Sequence, residues 1–327
     1  MDGSSRAELV RLPLPGAALA PLVDLDAALD YARAAVPPST ARAYGTQWRA
    51  FERYCADARL DALPASPATV AAYIAGRAKA GASVATIEQA LAAIAAAHLA
   101  ARLDSPTSSA EVKLTRRGIR RSHGVAPTKK APATVTALER MVAAIPGADV
   151  RALRDRALLL VGMAGGFRRS ELVALDVADF EDDPQARGIH ARVRRGKTDQ
   201  EGRGHVKAIP FGRGALDPAG ALRAWLRAAG IASGAVFRSV DRYGNVRDRR
   251  LTGHDVGRIV KEAAERAGLD PHAYSGHSLR RGFVTQAALD GKSTRAIIRQ
   301  TQQTERTAHG YIDAADPFAE NAVAGMF

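Results

Sequence analysis

Residues 122–133, Ser-His-Gly-Val-Ala-Pro-Thr-Lys-Lys-Ala-Pro-Ala, carry no hydrophobic periodicity, and they separate two stretches that are patterned differently. Before them, apolar residues recur at helical spacing: Trp48, Phe51 and Tyr54 in one run, Ile87, Leu91 and Ile94 in another. After them, helical patterns near 135–145 and 149–164 give way to alternating segments at about 177–181, 188–194 and 206–210, and helical patterns return at about 217–229 and 252–267. A helix repeats its faces every 3.6 residues and a strand every second residue. The first stretch is therefore expected to build helices only, and the second to fit one small antiparallel sheet among helices. A chain of 327 residues exceeds one ordinary core, so the unpatterned segment reads as a domain boundary.

Local signals divide the chain further. Residues 1–22, with Pro13, Pro15, Gly16 and Pro21 among small residues, read as a flexible leader. The helical module is expected over 23–121. Pro37-Pro38-Ser39-Thr40 stops one helix and caps the next, Ser66-Pro67 reads as an N-cap followed by a first-turn proline, and Ser83 opens a third helix. A last helix over about 109–121 ends in Arg116-Arg117-Gly118-Ile119-Arg120-Arg121. Residues 122–133 form a basic linker, and 134–327 the second domain.

Charge narrows the partner. Lys and Arg number 47 against 34 Asp and Glu, a formal charge of +13, which suits a polyanion because neutralised phosphates release counterions. Cys55 is the single cysteine, so no internal disulfide forms; its apolar, aromatic setting marks it as core filler. No apolar run reaches the length of a membrane span, and the N-terminus lacks a signal-peptide apolar region, so a cytoplasmic location with no membrane partner is expected.

Four segments of the second domain carry chemistry. They are Gly165-Gly166-Phe167-Arg168-Arg169-Ser170-Glu171-Leu172, Arg195-Gly196-Lys197-Thr198 in the turn between two expected strands, Tyr274-Ser275-Gly276-His277-Ser278-Leu279-Arg280-Arg281-Gly282, and His309-Gly310-Tyr311-Ile312. Arg168 and Arg280 each offer a planar fork of donors to phosphate oxygens. His277 and Arg280 stand three apart, so on a helix they share a face. A lysine at a turn tip can reach a leaving oxygen as proton donor. A tyrosine hydroxyl, with a free pKa of about 10, becomes a nucleophile when neighbouring cations help it ionise. No acidic cluster of metal-ligand type lies near, so the two guanidiniums would do the work of a metal. Each segment alone is common on ordinary amphipathic helices; Arg-Gly-Lys-Thr lacks the glycine pattern and following helix of a phosphate-binding loop.

In this order the four segments resemble the tyrosine recombinases of the phage integrase family, across roughly residues 135–315. The resemblance implies a mainly α fold: an N-terminal helical, SAM-like core-binding domain, and a C-terminal mixed α/β catalytic domain of the DNA breaking–rejoining type with a small antiparallel sheet. Carried over, Arg168 matches the first catalytic arginine and Glu171 the acidic residue that supports the site. Lys197 matches the lysine that protonates the 5′-oxygen, His277 and Arg280 the His-x-x-Arg pair, and Tyr311 the nucleophile that forms a 3′-phosphotyrosyl link. Nine residues before Tyr311, where the family carries a histidine or tryptophan, stands Gln302, whose amide can still donate to a phosphate oxygen. Arg116, Arg117, Arg120, Arg121, Lys129 and Lys130 are expected along the DNA backbone; Arg169 and Arg281 are expected to contact phosphate generally or to serve structure.

The resemblance further implies double-stranded DNA with inverted-repeat sites as partner, a nucleoid-associated role, and a homotetramer on DNA built from free monomers. Neither metal nor nucleotide cofactor is expected. The length suggests a Cre- or Xer-like arrangement without a separate arm-binding domain. A tail after Tyr311 with Phe318, Val323, Met326 and Phe327 is expected to pass between protomers. Two rival functions share the chemistry or the fold: DNA relaxation by a type IB topoisomerase, and a DNA-binding protein that has lost catalysis.

Overall fold

The computed structural model describes residues 37–124, 130–196, 199 and 202–315; the leader, Lys129, Lys197 and the tail lie outside them. The chain divides into two compact units, Met1–Thr128 and Lys129–Phe327.

In the first unit the described elements are four helices, α1 (Pro38–Ala58), α2 (Pro67–Lys79), α3 (Val84–Ala100) and α4 (Ala110–His123), with a short 3₁₀ turn at Pro106–Ser108. Serine hydroxyls open three of them: Ser66 accepts from the Thr69 amide at 3.1 Å, Ser83 from Thr86 at 3.2 Å and Ser109 from Val112 at 3.2 Å. Such caps satisfy orphan first-turn amides and are worth about 1 kcal/mol each. Helix α1 differs from expectation: Pro37 takes the capping position with no side-chain cap, and Ser39 and Thr40 lie inside the first turn. Phe51, Ile74, Ile94, Val112 and the Cys55 thiol are wholly buried in the core. His98, also wholly buried, receives the Ala65 amide on Nε2 at 2.9 Å while its Nδ1 meets the Ile94 carbonyl at 2.8 Å.

The second unit is arranged around α6 (Val150–Ala164), where Leu158, Leu159, Leu160 and Val161 are consecutively buried. A helix apolar on every side belongs at the centre of a domain. Around it lie α5 (Val135–Ala143), α7 (Arg169–Ala174), α8 (Pro218–Ala228), α9 (Gly253–Arg266), α10 (Ser278–Leu289), α11 (Thr294–Thr301) and α12 (Glu305–Ala315). Strands β1 (Phe180–Asp182), β2 (Gly188–Val193) and β3 (His205–Pro210) form an antiparallel sheet in that order, with Ala191 opposite both Phe180 and Lys207.

Three features depart from the sequence expectations. Residues 177–179 form a 3₁₀ turn, because the Asp179 carboxylate accepts the Asp176 amide at 2.9 Å and tightens the chain before the strand begins. A second sheet pairs β4 (Arg238–Val240) with β5 (Val246–Arg250). Its strands are short and charged, so apolar alternation does not mark them; the Asp241 carboxylate builds the turn by accepting the Tyr243 and Asn245 amides at 2.8 and 3.0 Å. Residues at both ends of the 122–133 segment belong to the two units. Ser122 and His123 complete α4, while the Ala131 and Ala133 amides donate to Ala273 and Ser278 carbonyls of the second unit at 2.7 and 2.9 Å. Among the described residues no helix is long and apolar enough to cross a membrane.

Candidate active site

The site begins where α6 ends. Gly166 sits at φ +54°, the Gly166 amide donates to Met163 and the Phe167 amide to Gly162, the paired bonds of a left-handed helix stop. A Cβ at Gly165 would lie 2.0 Å from the buried Phe167 ring, so a side chain there would force the ring to shift. The reversal delivers Arg168 to the capping position of α7, partly buried. Glu171, 2% exposed, accepts the Arg168 amide at 3.0 Å and the Arg168 Nη1 at 2.5 Å. A Cβ on Gly196, the residue before Lys197, would lie 3.4 Å from Glu171 Oε1, so Gly196 lies beside this pair.

Helix α10 brings Arg280 to the same carboxylate, its Nη1 4.0 Å from Glu171 Oε2. Two residues on, α10 runs against main chain at Gly282, where a Cβ would strike the Ala133 carbonyl at 1.9 Å. Arg280 is 8% exposed; Nη1 donates to the Gly166 carbonyl at 2.7 Å and Nη2 to the Thr301 carbonyl at 2.6 Å. Burial, and next the like charge of Arg168, push its pKa down to about 10, against the opposing pull of Glu171 and Tyr311.

The C-terminus of α11 ties these groups together. Its last carbonyls are orphan acceptors at the negative end of the helix dipole, and three consecutive ones take bonds from three cations. Gln300 accepts from Lys207, Thr301 from Arg280, and Gln302 from Arg168 Nη2 at 3.2 Å. Gln302 closes the helix in left-handed geometry, φ 52° and ψ 45°, and its side-chain amide donates to the Arg299 carbonyl at 2.9 Å.

Lys207 is absent from the residues singled out in the sequence. It is wholly buried, with Nζ 5.0 Å from the Phe167 ring centroid. Burial pushes its pKa down to about 7; Glu171 opposes the shift, and Arg280 and Arg168 add to it. Beside it on β3, His205 has a buried Nε2 without a hydrogen-bond partner among the described residues, and burial lowers its pKa as well.

The remaining candidates belong to both units. His277 is exposed at the capping position of α10, its carbonyl accepting the Arg281 amide at 3.0 Å. Tyr311 is half-buried on α12 and, like Phe283, packs against the buried cluster of Val284, Ala287 and Ile297. The Arg281 guanidinium lies 5.7 Å from its ring centroid and also donates to the Lys130 carbonyl. Arg281 thus links α12 to the start of the unit. Lys130 itself donates to the His272 carbonyl at 2.7 Å. The Arg169 stem runs over Gly253 and Gly276. On α4, Arg116 and Arg120 share Glu88 at 2.8 and 3.3 Å, while Arg117 and Arg121 are exposed.

The profile of the phage integrase family matches residues 134–303. An integrase/recombinase XerD homolog of Selenomonas ruminantium is 35% identical over 297 residues, 88% of this chain and 85% of that protein. The tyrosine recombinase XerD of Mycobacterium tuberculosis is 29% identical over 182 residues, 52% of this chain and 53% of that protein. Among solved structures, the XerH site-specific recombinase bound to palindromic difH substrate superposes with a TM-score of 0.62 at 15% identity, over 92% of this chain and 83% of that one. The Tn1549 transposon integrase in complex with transposon right end DNA gives 0.61 at 17% identity, over 92% and 96%. At those identities the superpositions speak for the fold.

Proposed function

The chain belongs to the phage integrase family and is a tyrosine recombinase, and from that premise we propose that it recombines double-stranded DNA at specific sites through a 3′-phosphotyrosyl intermediate on Tyr311. The observation that carries this reading is the convergence of Arg168 and Arg280 on the buried Glu171 carboxylate. Two guanidiniums held by one carboxylate form a rigid anion receptor of the kind that stabilises charge on non-bridging phosphate oxygens.

In the proposed cycle a scissile phosphate lies across Arg168, Arg280 and the exposed His277. The Tyr311 hydroxyl gives its proton to water as it bonds to phosphorus, and the bond from phosphorus to the 5′-oxygen breaks as Lys197 supplies that oxygen with a proton. A 5′-hydroxyl from a second duplex then attacks the phosphotyrosine, returning its proton to Lys197, and the departing Tyr311 oxygen regains a proton from water. The phosphodiester energy is conserved in the phosphotyrosine, so the cycle draws on no nucleotide and asks for no metal. Arg117, Arg121 and Lys129 follow the DNA backbone, where contacts position the protein without reading sequence.

The assembly on DNA is proposed as a homotetramer spanning two inverted-repeat sites. An apolar cavity of about 350 Å³ in the second unit, lined by Val135, Leu138, Met163, Phe283, Ala287 and Ile297, supports this. It suits the apolar residues Phe318, Val323, Met326 and Phe327 of a neighbouring protomer's C-terminal segment.

A nicked duplex that loses its short 5′-fragment on cleavage tests the chemistry. The wild-type chain should form a covalent DNA adduct and Tyr311→Phe should not; adduct formation by both, or by neither, overturns the reading. Two duplexes offered together then separate exchange from relaxation.

A further inference from the structure

We propose that Lys207 is a positioning residue of this site: by bonding the Gln300 carbonyl it fixes the last turn of α11, and with it the two carbonyls that hold Arg280 and Arg168. The inference rests on the proposed cleavage chemistry and adds a residue that no sequence motif assigns.

Three elements distant in sequence meet one helix end. Strand β3 brings Lys207 to Gln300, α10 brings Arg280 to Thr301, and the start of α7 brings Arg168 to Gln302. The three acceptors are consecutive, so they move together: a shift of the last turn displaces both guanidinium anchors. It also displaces the start of α12 at Glu305, and hence Tyr311. Misplacement of a reacting group by about 1 Å can slow a reaction on the order of a hundredfold.

Lys207 has the properties of a fixed anchor rather than of a group that meets DNA. It has no exposed surface, and the Ala191 opposite it on β2 is small and also wholly buried. Its ammonium packs against Phe167, the residue that precedes Arg168, so the same cation also supports the turn that presents the first guanidinium. An apolar side chain of similar length would be easier to bury. What the lysine adds is a directional bond to one carbonyl. The proton donor of the proposed cycle remains Lys197, in the β2–β3 connection.

The two lysines are separable by experiment. A nicked duplex, selected from a random library by the wild-type chain, is prepared with oxygen or with sulfur at the 5′-bridging position; a thiolate departs without being protonated. Adduct formation is followed in a single turnover and DNA affinity measured alongside, on full-length wild type, Lys207→Met, Lys207→Arg, Lys197→Ala and Tyr311→Phe. We expect Lys207→Met to slow adduct formation about 10- to 100-fold on both duplexes with unchanged DNA affinity. Lys207→Arg, which keeps a charged donor, should recover part of the rate. Lys197→Ala should be slow with oxygen and rescued by sulfur. Where methionine prevents folding, Lys207→Gln, too short to reach Gln300, serves with the same expectation. A folded variant that reacts at the wild-type rate overturns the proposal, and so does a Lys207→Met defect that sulfur rescues, because the lysine would then be a proton donor. Failure of the wild-type chain itself to form an adduct overturns the functional reading instead.

Discussion

Glu171 lies beneath Arg168 with only 2% of its surface exposed, and its Oε1 is 2.5 Å from the arginine Nη1. The carboxylate also faces Arg280, so its negative charge is what allows two guanidiniums to share one small volume. Removing it strands both. Glu171→Ala should destabilise the second unit by about 3–5 kcal/mol, the range for breaking a buried pair. Glu171→Gln, which can still accept the Arg168 amide, should be milder. Calorimetric unfolding of the two variants checks the order.

Close backbone approach makes a second prediction. At Gly282 any Cβ would meet the Ala133 carbonyl at 1.9 Å, and the obstacle is main chain. Gly282→Ala should therefore cost about 1–3 kcal/mol as an overpacked site and weaken the bond between Arg281 and Lys130. At Gly118 on α4 nothing lies within 4 Å of the added methyl, and alanine there should stabilise by about 0.5–1 kcal/mol through helix propensity. Urea titration of both variants distinguishes a steric glycine from an incidental one.

Burial of Lys207 couples stability to pH. Its folded pKa of about 7 lies below the ordinary lysine value of 10.5. Between those values the unfolded chain binds the extra proton and the folded chain does not, so stability rises with pH across that window. Below pH about 7 the ammonium is buried charged and the penalty is complete. Lys207→Met removes the penalty. Its stability relative to wild type should thus be greatest in mild acid and fall as pH rises, by at most about 1.4 kcal/mol per pH unit. Denaturation of the two proteins in parallel over pH about 6–10 measures the difference; a gap that stays constant or widens with pH contradicts it.

The same lysine shows where sequence patterning stops. The four apolar residues from Leu158 to Val161 announce a central helix, and the motif around Arg168, Glu171 and Arg280 is legible because phosphate chemistry asks for those side chains. Strand β3 reads the other way. Its apolar Val206 and Ala208 suggest the inner face, yet Val206 is 53% exposed and Lys207 and Ile209 point inward. One cation bonded to a helix end reverses the apparent alternation. The carbonyls of Gln300, Thr301 and Gln302 are invisible to any side-chain motif, because the backbone is common to all residues. The β4–β5 hairpin escapes notice for a related reason: an Asp241 turn and charged pairs define it more than apolar alternation does.

Substitutions at Gln302, nine residues before Tyr311, test whether its side chain serves the reaction. Its carbonyl accepts from Arg168 whatever the side chain is, and its backbone is left-handed at φ 52°. The Gln302→Ala variant keeps the carbonyl and loses only the amide, so adduct formation should fall by less than about tenfold, below 1.4 kcal/mol of transition-state stabilisation. Histidine tolerates left-handed backbone better than most residues and places a ring donor where the glutamine amide now turns back to Arg299. The Gln302→His variant should form the covalent adduct faster than wild type, with DNA affinity unchanged. Its rate should also acquire a dependence on pH near the imidazole range of about 6–7. Single-turnover adduct formation across that range decides the matter: a histidine variant slower than wild type at every pH would mean that the glutamine is fitted to this site and is no lapse from the family pattern.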